Sequence, residues 1–232
     1  MHKSLLSAAA LALAVVAPLA HAHTEGDIIL RAGAITVNPK ADSSSVKVDQ
    51  GPLAGADLGG KATMSSDTQL GLNFAYMITD HVGIELLAAT PFEHDVKLKG
   101  TALSAANGKL GSLKHLPPTL SVVYYPLDSK SVFQPYVGAG INYTWIYDEH
   151  VGSNASAAGF DNFKAKNSWG MAFQIGADYM LTDNILINAQ ARYIDIDTRA
   201  TVENNAVAPG TRAKVNVDVD PFVYMVGVGY KF

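Results

Sequence analysis

The sequence predicts an all-β fold: an eight-stranded antiparallel transmembrane β-barrel with short periplasmic turns and long extracellular loops. Three observations predict it. Apolar and polar residues alternate with period 2 from one end of the chain to the other. One face of that alternation is large, apolar and aromatic, while the other is small or polar. The connections between the alternating stretches are by turns short and long.

The first residues stand apart. Lys3 supplies a positive start, Leu5 to Ala20 is an apolar run, and Ala20-His21-Ala22 fits the small-x-small pattern of a signal-peptidase site. The run is short for a spanning helix, and no basic stop-transfer flank follows it. Residues 1–22 read as a signal peptide and 23–232 as the barrel. His23 and Glu25 then read as a polar periplasmic tail.

The strands follow in order. The first, near 27–36, offers Ile28, Leu30, Ala32 and Ala34. The second, near 67–79, offers Leu70, Leu72, Phe74, Tyr76 and Ile78. The third, near 82–91, offers Val82, Ile84, Leu86 and Ala88. The fourth, near 117–126, offers Leu120, Val122 and Tyr124. Strand five, near 133–148, carries Val137, Ala139, Ile141, Tyr143 and Trp145. Strand six, near 167–180, carries Trp169, Met171, Phe173, Ile175 and Tyr179. Strand seven, near 184–196, carries Ile185, Ile187, Ala189, Ala191 and Tyr193. The eighth is PFVYMVGVGYKF, extended back to about Lys214. It closes on the first strand, and its terminal Phe232 is the kind of end that the outer-membrane assembly machinery handles.

The opposite face holds Arg31, Asn73, Glu85, Asn142, Gln174, Asp178, Asn188, Gln190 and Arg192, with glycines in many of the gaps. A soluble ligand-binding barrel would turn its apolar face inward. The inverse arrangement suits lipid, and a sheet in hydrocarbon must close so that every backbone group is paired. TDH (79–81), PLDSKS (126–131) and LTD (181–183) read as tight turns. The stretches 37–66, 92–116, 149–166 and 197–213 read as long loops, rich in Ser, Asn, Gly, Ala and charge.

Composition excludes several classes. Charged residues make up 16% of the chain and the formal charge is −4, which gives no basic surface for nucleic acid. Cysteine is absent, so thiolate metal centres are excluded. His94, Asp95 and His115 flank one hairpin and offer imidazole and carboxylate. No tight metal spacing supports them, and they read as a solvated loop. Ser104 and Ser112 could be drawn with those histidines as a hydrolytic set, but no G-x-S-x-G elbow is present. The chain reads as a non-enzyme without metal or cofactor.

Eight strands enclose an interior that side chains just fill, so no aqueous pore is available. Arg31, Glu85, Asp178 and Arg192 project into it, where ions of both signs should pair as a polar plug. An apolar solute gains nothing by crossing such a plug and would need another exit. Pro91, Pro117 and Pro118 lie at similar height on the third and fourth strands. Proline cannot donate to a ladder. The three either open a gap facing lipid or mark where both strands leave the membrane. Leu87 and Ala89 share the parity of Pro91 and should line the interior just below it.

Several segments carry a family resemblance: RAGAITVNP (31–39), TQLGLNFAYMITDHVGIELLAATPFEHDV (68–96), HLPPTLSVVYYP (115–126), PYVGAGINYT (135–144), SWG (168–170), YIDIDT (193–198) and DPFVYMVGVGYKF (220–232). In this order they resemble the OmpW family of bacterial outer-membrane proteins over the whole mature chain. The resemblance implies residence in the outer membrane of a Gram-negative bacterium, amid its lipid. It also implies passage of small hydrophobic molecules, taken in from outside and released sideways through the wall. Leu87 matches a position where the family keeps a bulky apolar residue. Arg192 departs from members that carry an aromatic there, and could close the floor with charge by pairing with Glu85. No energy-coupling motif is present, so the implied transport is passive. The alternative is a small structural or adhesive barrel that acts through its extracellular loops.

Overall fold

The computed structural model describes residues 22–104 and 107–232. The signal peptide inferred above lies outside the described residues except for Ala22. In chain order the strands begin with β1 (Ile28–Asn38), β2 (Asp42–Ser43), β3 (Val46–Gln50), β4 (Asp57–Met64), β5 (Asp67–Met77) and β6 (Val82–Ala89). Next come β7 (Phe92–Thr101), β8 (Gly108–Leu116), β9 (Thr119–Tyr124) and β10 (Phe133–Val151). A short helix, α1 (Ser153–Ala157), precedes β11 (Phe160–Ala165), β12 (Ser168–Met180) and β13 (Ile185–Ile194). The chain ends with β14 (Asp197–Asn204), β15 (Thr211–Asp218) and β16 (Phe222–Lys231).

Eight strands close into an antiparallel barrel in the order β1-β5-β6-β9-β10-β12-β13-β16, with β16 returning to β1. The closing register sets Leu30 opposite Tyr230 and Gly33 opposite Gly227. The outward positions of this barrel are predominantly apolar, as along β12, where Trp169, Met171, Phe173 and Ile175 are exposed. Such a surface is stable only in hydrocarbon, which places these strands across the membrane. The glycine pair permits a close approach. A Cβ on Gly33 would lie 2.2 Å from the Val226 carbonyl oxygen.

The long connections are not loops. Strands β3, β4, β7, β8, β11, β14 and β15 pair with one another and with the upper part of β10, extending the wall above the barrel. Their alternation is inverted. In β15, Ala213, Val215 and Val217 are buried, while Lys214 and Asn216 lie on the opposite face. Water bathes the outside here, so polar residues face out and apolar residues pack inward, as in a soluble sandwich. Reading for an outward apolar face alone misses these strands. The stretch from Lys214 to the C-terminus is accordingly two strands, β15 and β16, separated at Val219–Pro221.

The interior is layered. At the periplasmic end Ile29, Met77, Val123, Tyr125, Tyr136 and Leu186 form an apolar cluster. A belt of polar side chains lies above it. Above the belt a larger apolar cluster, including Ile35, Leu87, Phe92, Leu98, Leu113 and Ile146, fills the upper wall.

Candidate functional site

The polar belt is built by strands that cross the membrane. Inward parity at Arg31 on β1, Glu85 on β6, Asp178 on β12 and Arg192 on β13 brings four ionic side chains into one layer, each at most 2% exposed. Arg31 Nη2 lies 2.5 Å from Asp178 Oδ2, and Arg31 Nε donates to Asp178 Oδ1 at 3.0 Å. The remaining donors of Arg31 reach Asn73 Oδ1 at 2.9 Å and Tyr125 Oη at 2.8 Å. Arg192 Nη2 donates to Glu85 Oε1 at 2.6 Å, and its Nε to Gln174 Oε1 at 2.7 Å. Gln174 Nε2 donates to Glu85 Oε1 at 2.9 Å, and Glu85 Oε2 lies 3.5 Å from Arg31 Nη1. Two guanidinium ions meet two carboxylates, so the buried charge balances. The planar forks of arginine suit this layer because each satisfies several acceptors at once.

His23 belongs to the same layer. It is buried, and its Nε2 lies 2.9 Å from Asp178 Oδ2. It is therefore not part of a solvated tail. The neighbouring Ala22 N–H donates to the Ser129 carbonyl at 2.6 Å, which seats this segment against the short turn.

Directly above the belt the wall is interrupted. The β6–β9 ladder ends at the pair Leu87–Thr119, and the β7–β8 ladder begins at Phe92–His115. Between these pairs Ala88, Ala89, Thr90 and Pro91 face Leu116, Pro117 and Pro118 without a ladder. Both outer flanks stay tied. The Thr90 N–H donates to the Leu70 carbonyl at 2.9 Å, and the Tyr143 N–H to the Pro118 carbonyl at 3.1 Å. Asn142 staples one side of the seam, its Nδ2 donating to the carbonyls of Pro117 (3.1 Å) and Pro118 (3.2 Å) and to Thr119 Oγ1 (3.0 Å).

The unequal lengths of the two arms shift the alternation by one residue. Leu87 is buried and Ala89 is half-buried, but Pro91 is exposed and Phe92 turns inward. Pro91 therefore does not share the parity of Leu87 and Ala89. Pro117 is buried, whereas Pro118 faces lipid. On the outside the seam opens into an apolar groove of about 250 Å³, lined by Ala88, Ala89, Leu116, Pro117, Pro118, Tyr143 and Trp145. Tyr143 and Trp145 are aromatics of the kind that gather at the membrane interface. Leu87 marks the inner edge of the same level. It is the last apolar inward residue on β6 before Glu85.

His94 and His115 are not solvated. Both are buried in the upper wall, their Nε2 atoms are 2.8 Å apart and the ring planes lie within 15°. Burial holds His94 below its ordinary range and pushes His115 down to about 3. Asp95 turns away and pairs with Lys109 at 2.6 Å. The three residues do not converge on one point. Asn142 was legible in the sequence as an inward polar residue, but its role at the seam was not. That role depends on the proline carbonyls opposite it.

The chain is similar to known proteins. The family model described as OmpW family matches residues 24–232. Outer membrane protein W of Vibrio cholerae serotype O1 is 42% identical over the whole of both chains. The crystal structure of the outer membrane protein OprG from Pseudomonas aeruginosa superposes with a TM-score of 0.84 at 49% identity, covering 91% of this chain and 98% of that one. A more distant relative, the dibenzothiophene metabolism operon protein PahQ of Pseudomonas aeruginosa, is 26% identical over 75% of this chain and 76% of its own.

Proposed function

The chain belongs to the OmpW family, and from that premise we propose that this outer-membrane barrel is a passive channel for small hydrophobic molecules. A solute enters the upper barrel from outside, meets the ionic belt, and leaves sideways through the seam at Pro91, Pro117 and Pro118 into the bilayer. Leu87 and Ala89 line the turn from the vertical to the lateral path. Arg31, Glu85, Asp178 and Arg192 form the plug that forces that turn.

One observation carries the reading. An apolar upper interior rests on a charge-filled belt, and the ladder is missing at the junction between them. An apolar molecule loses free energy of burial if it moves on into a dry ionic layer, and ions held in pairs do not part for it. The groove outside the seam is apolar and opens at the height of the interface aromatics. Apolar surface therefore flanks the seam on its lipid side, as Leu87 and Phe92 do on its inner side. The name of the distant relative PahQ points to an apolar aromatic compound, which fits the same chemical class.

The test is uptake by liposomes that contain the mature protein, with a medium-length apolar solute and a sugar of similar size. The comparison variant replaces Pro91 and Pro118 by Val, which restores two ladder donors. Selective apolar uptake that falls several-fold in the variant supports lateral release. Equal uptake in both proteins removes the seam from the mechanism and keeps the channel. No uptake above empty liposomes ends the channel reading in favour of a structural or adhesive barrel.

A further inference from the structure

We propose that the upper wall carries a binding site for an anionic saccharide, a sugar unit bearing a phosphate or sulfate, in the groove between β8 and the end of β10. The proposal stands apart from the channel reading, because the groove lies on the water-facing side of the wall.

The groove measures about 280 Å³ and is lined by Lys109, Ser112, His150, Ser153 and Asn154 around Val151 and Gly152. That volume holds about nine waters, the scale of one sugar ring with its substituent. Lys109 and Ser112 sit on the outward face of β8, opposite the buried Leu110 and Leu113. The turn that forms the other bank is fixed. The Gly152 N–H donates to the Leu110 carbonyl at 2.7 Å, and the Ser156 N–H to the Gly152 carbonyl at 2.9 Å. His150 Nδ1 lies 2.9 Å from the Asp148 carbonyl oxygen, which only accepts, so Nδ1 carries a proton and Nε2 is left for a ligand. The side chains of Ser112, Ser153 and Asn154 have no hydrogen-bond partner among the described residues. Both banks thus hold hydroxyl, amide and imidazole groups in reserve. They match the hydroxyls of a sugar, each of which donates and accepts.

Positive charge is concentrated beside the groove. Lys97 lies directly opposite Lys109 across the β7–β8 ladder, and Lys99, on the same face, lies opposite Lys61 of β4. Like charges in directly opposed positions destabilise a sheet. Carboxylates offset only half of the cluster. Asp95 Oδ1 is 2.6 Å from Lys109 Nζ, and Asp42 Oδ1 is 2.6 Å from Lys61 Nζ. Lys97 and Lys99 make no ion pair among the described residues. Four ammonium groups therefore meet two carboxylates on adjacent strands, and a phosphate or sulfate on the bound sugar supplies the missing anion. The other acids nearby are engaged, Asp148 with Lys114 at 2.6 Å and Glu149 with Lys164 at 3.2 Å. Height also favours a sugar over a phospholipid. His150 stands above Trp145 on β10, by about 13 Å along the membrane normal at about 3.3 Å per residue and a tilt of about 40°. The glycerophosphate of a phospholipid lies beside the interface aromatics, well below that level.

The experiment titrates the full mature barrel in phosphatidylcholine nanodiscs with glucose 6-phosphate, glucose and inorganic phosphate, read by the backbone amide resonances of Ser112 and Asn154. Glucose 6-phosphate is expected to bind about fivefold tighter than either glucose or phosphate. Lys97→Gln combined with Lys99→Gln should weaken glucose 6-phosphate about fivefold and leave glucose unchanged. Both lysines are exposed, so the fold tolerates the change. Asn154→Trp fills the groove and should weaken both sugars. Phosphate that binds as tightly as glucose 6-phosphate, an unchanged affinity in the double lysine variant, or no saturation by about 20 mM overturns the proposal. A second set of nanodiscs carries a lipid with a phosphorylated glucosamine headgroup. Amides already shifted there, before any sugar is added, identify the ligand as a membrane lipid. Amides that are unshifted there and still answer to glucose 6-phosphate identify it as a soluble saccharide. Uptake of an apolar solute by liposomes stays at the parental rate in the lysine variant, so the site and the channel stand or fall separately.

Discussion

Replacing Glu85 by Gln removes one negative charge from the balanced belt and little volume. Arg192 Nη2 then loses the carboxylate at 2.6 Å, while Arg31 keeps Asp178. A unit-charge pair about 4 Å apart at an effective dielectric of 20 is worth about 4 kcal/mol. Breaking one partner of a buried pair costs about 3–5 kcal/mol. The amide oxygen of Gln can still accept one bond from Arg192, so the expected loss lies near 3 kcal/mol. Replacing both Glu85 and Arg192 by Leu should recover most of it, because a buried ion pair is worth little more than apolar residues of similar volume. The assay is urea unfolding of the barrel in lipid, followed by tryptophan emission. Trp145 and Trp169 both face outward, 50% and 71% exposed on the protein, and report departure from lipid. A Glu85→Gln barrel within 1 kcal/mol of the parent, with no recovery in the double variant, would refute the reasoning. The belt would then be hydrated, and nothing would force a solute sideways.

Other predictions concern the seam, the glycine contact and the histidine pair. Asn142→Leu strips the donor from the Pro117 and Pro118 carbonyls and should lower unfolding stability by about 2 kcal/mol. Amide hydrogen exchange near Thr119 should accelerate with it. Gly33→Ala drives a Cβ toward the backbone of Val226 and Gly227. Neither neighbour is a side chain that can swing away, so a loss of about 1–3 kcal/mol is expected, seen as a smaller folded fraction on heat-modifiable gels. His115 titrates near 3 in the fold against about 6.5 when free. The unfolded chain therefore takes the proton first as pH falls. The stabilisation from neutral His115 is complete above about pH 6.5 and declines toward pH 3, by about 2 kcal/mol at pH 5. His115→Phe should flatten that part of the stability profile.

The membrane half of the fold was legible because lipid imposes one rule on every outward residue. Leu70, Leu72, Phe74 and Tyr76 could face nothing else, and the polar residues between them had to meet in the interior. The upper half obeys the opposite rule. VKVDQ, HDVKLKG and RAKVNVDV alternate as strictly as the spanning strands, but their apolar members face in. A search for outward apolar faces passes over them, although the period itself was available. The parity of Pro91 was not legible, because it depends on four residues lying opposite three across the seam. The burial of His23 was hidden for a different reason. It is fixed by Asp178, 155 positions away in the chain.

Strand β10 belongs to both halves and runs for 19 residues, with one irregularity between Tyr147 and His150. At about 3.3 Å per residue it is about 63 Å long, and at a tilt of about 40° it rises about 48 Å along the membrane normal. The apolar band of an outer-membrane barrel is only about 25 Å tall. Roughly 20 Å of wall therefore stands clear of the hydrocarbon, at the depth of the lipid headgroups and the water beyond them. On the proposed route, a mouth raised to that height would let an apolar molecule leave water well above the hydrocarbon and next meet solvent of another kind beside the acyl chains.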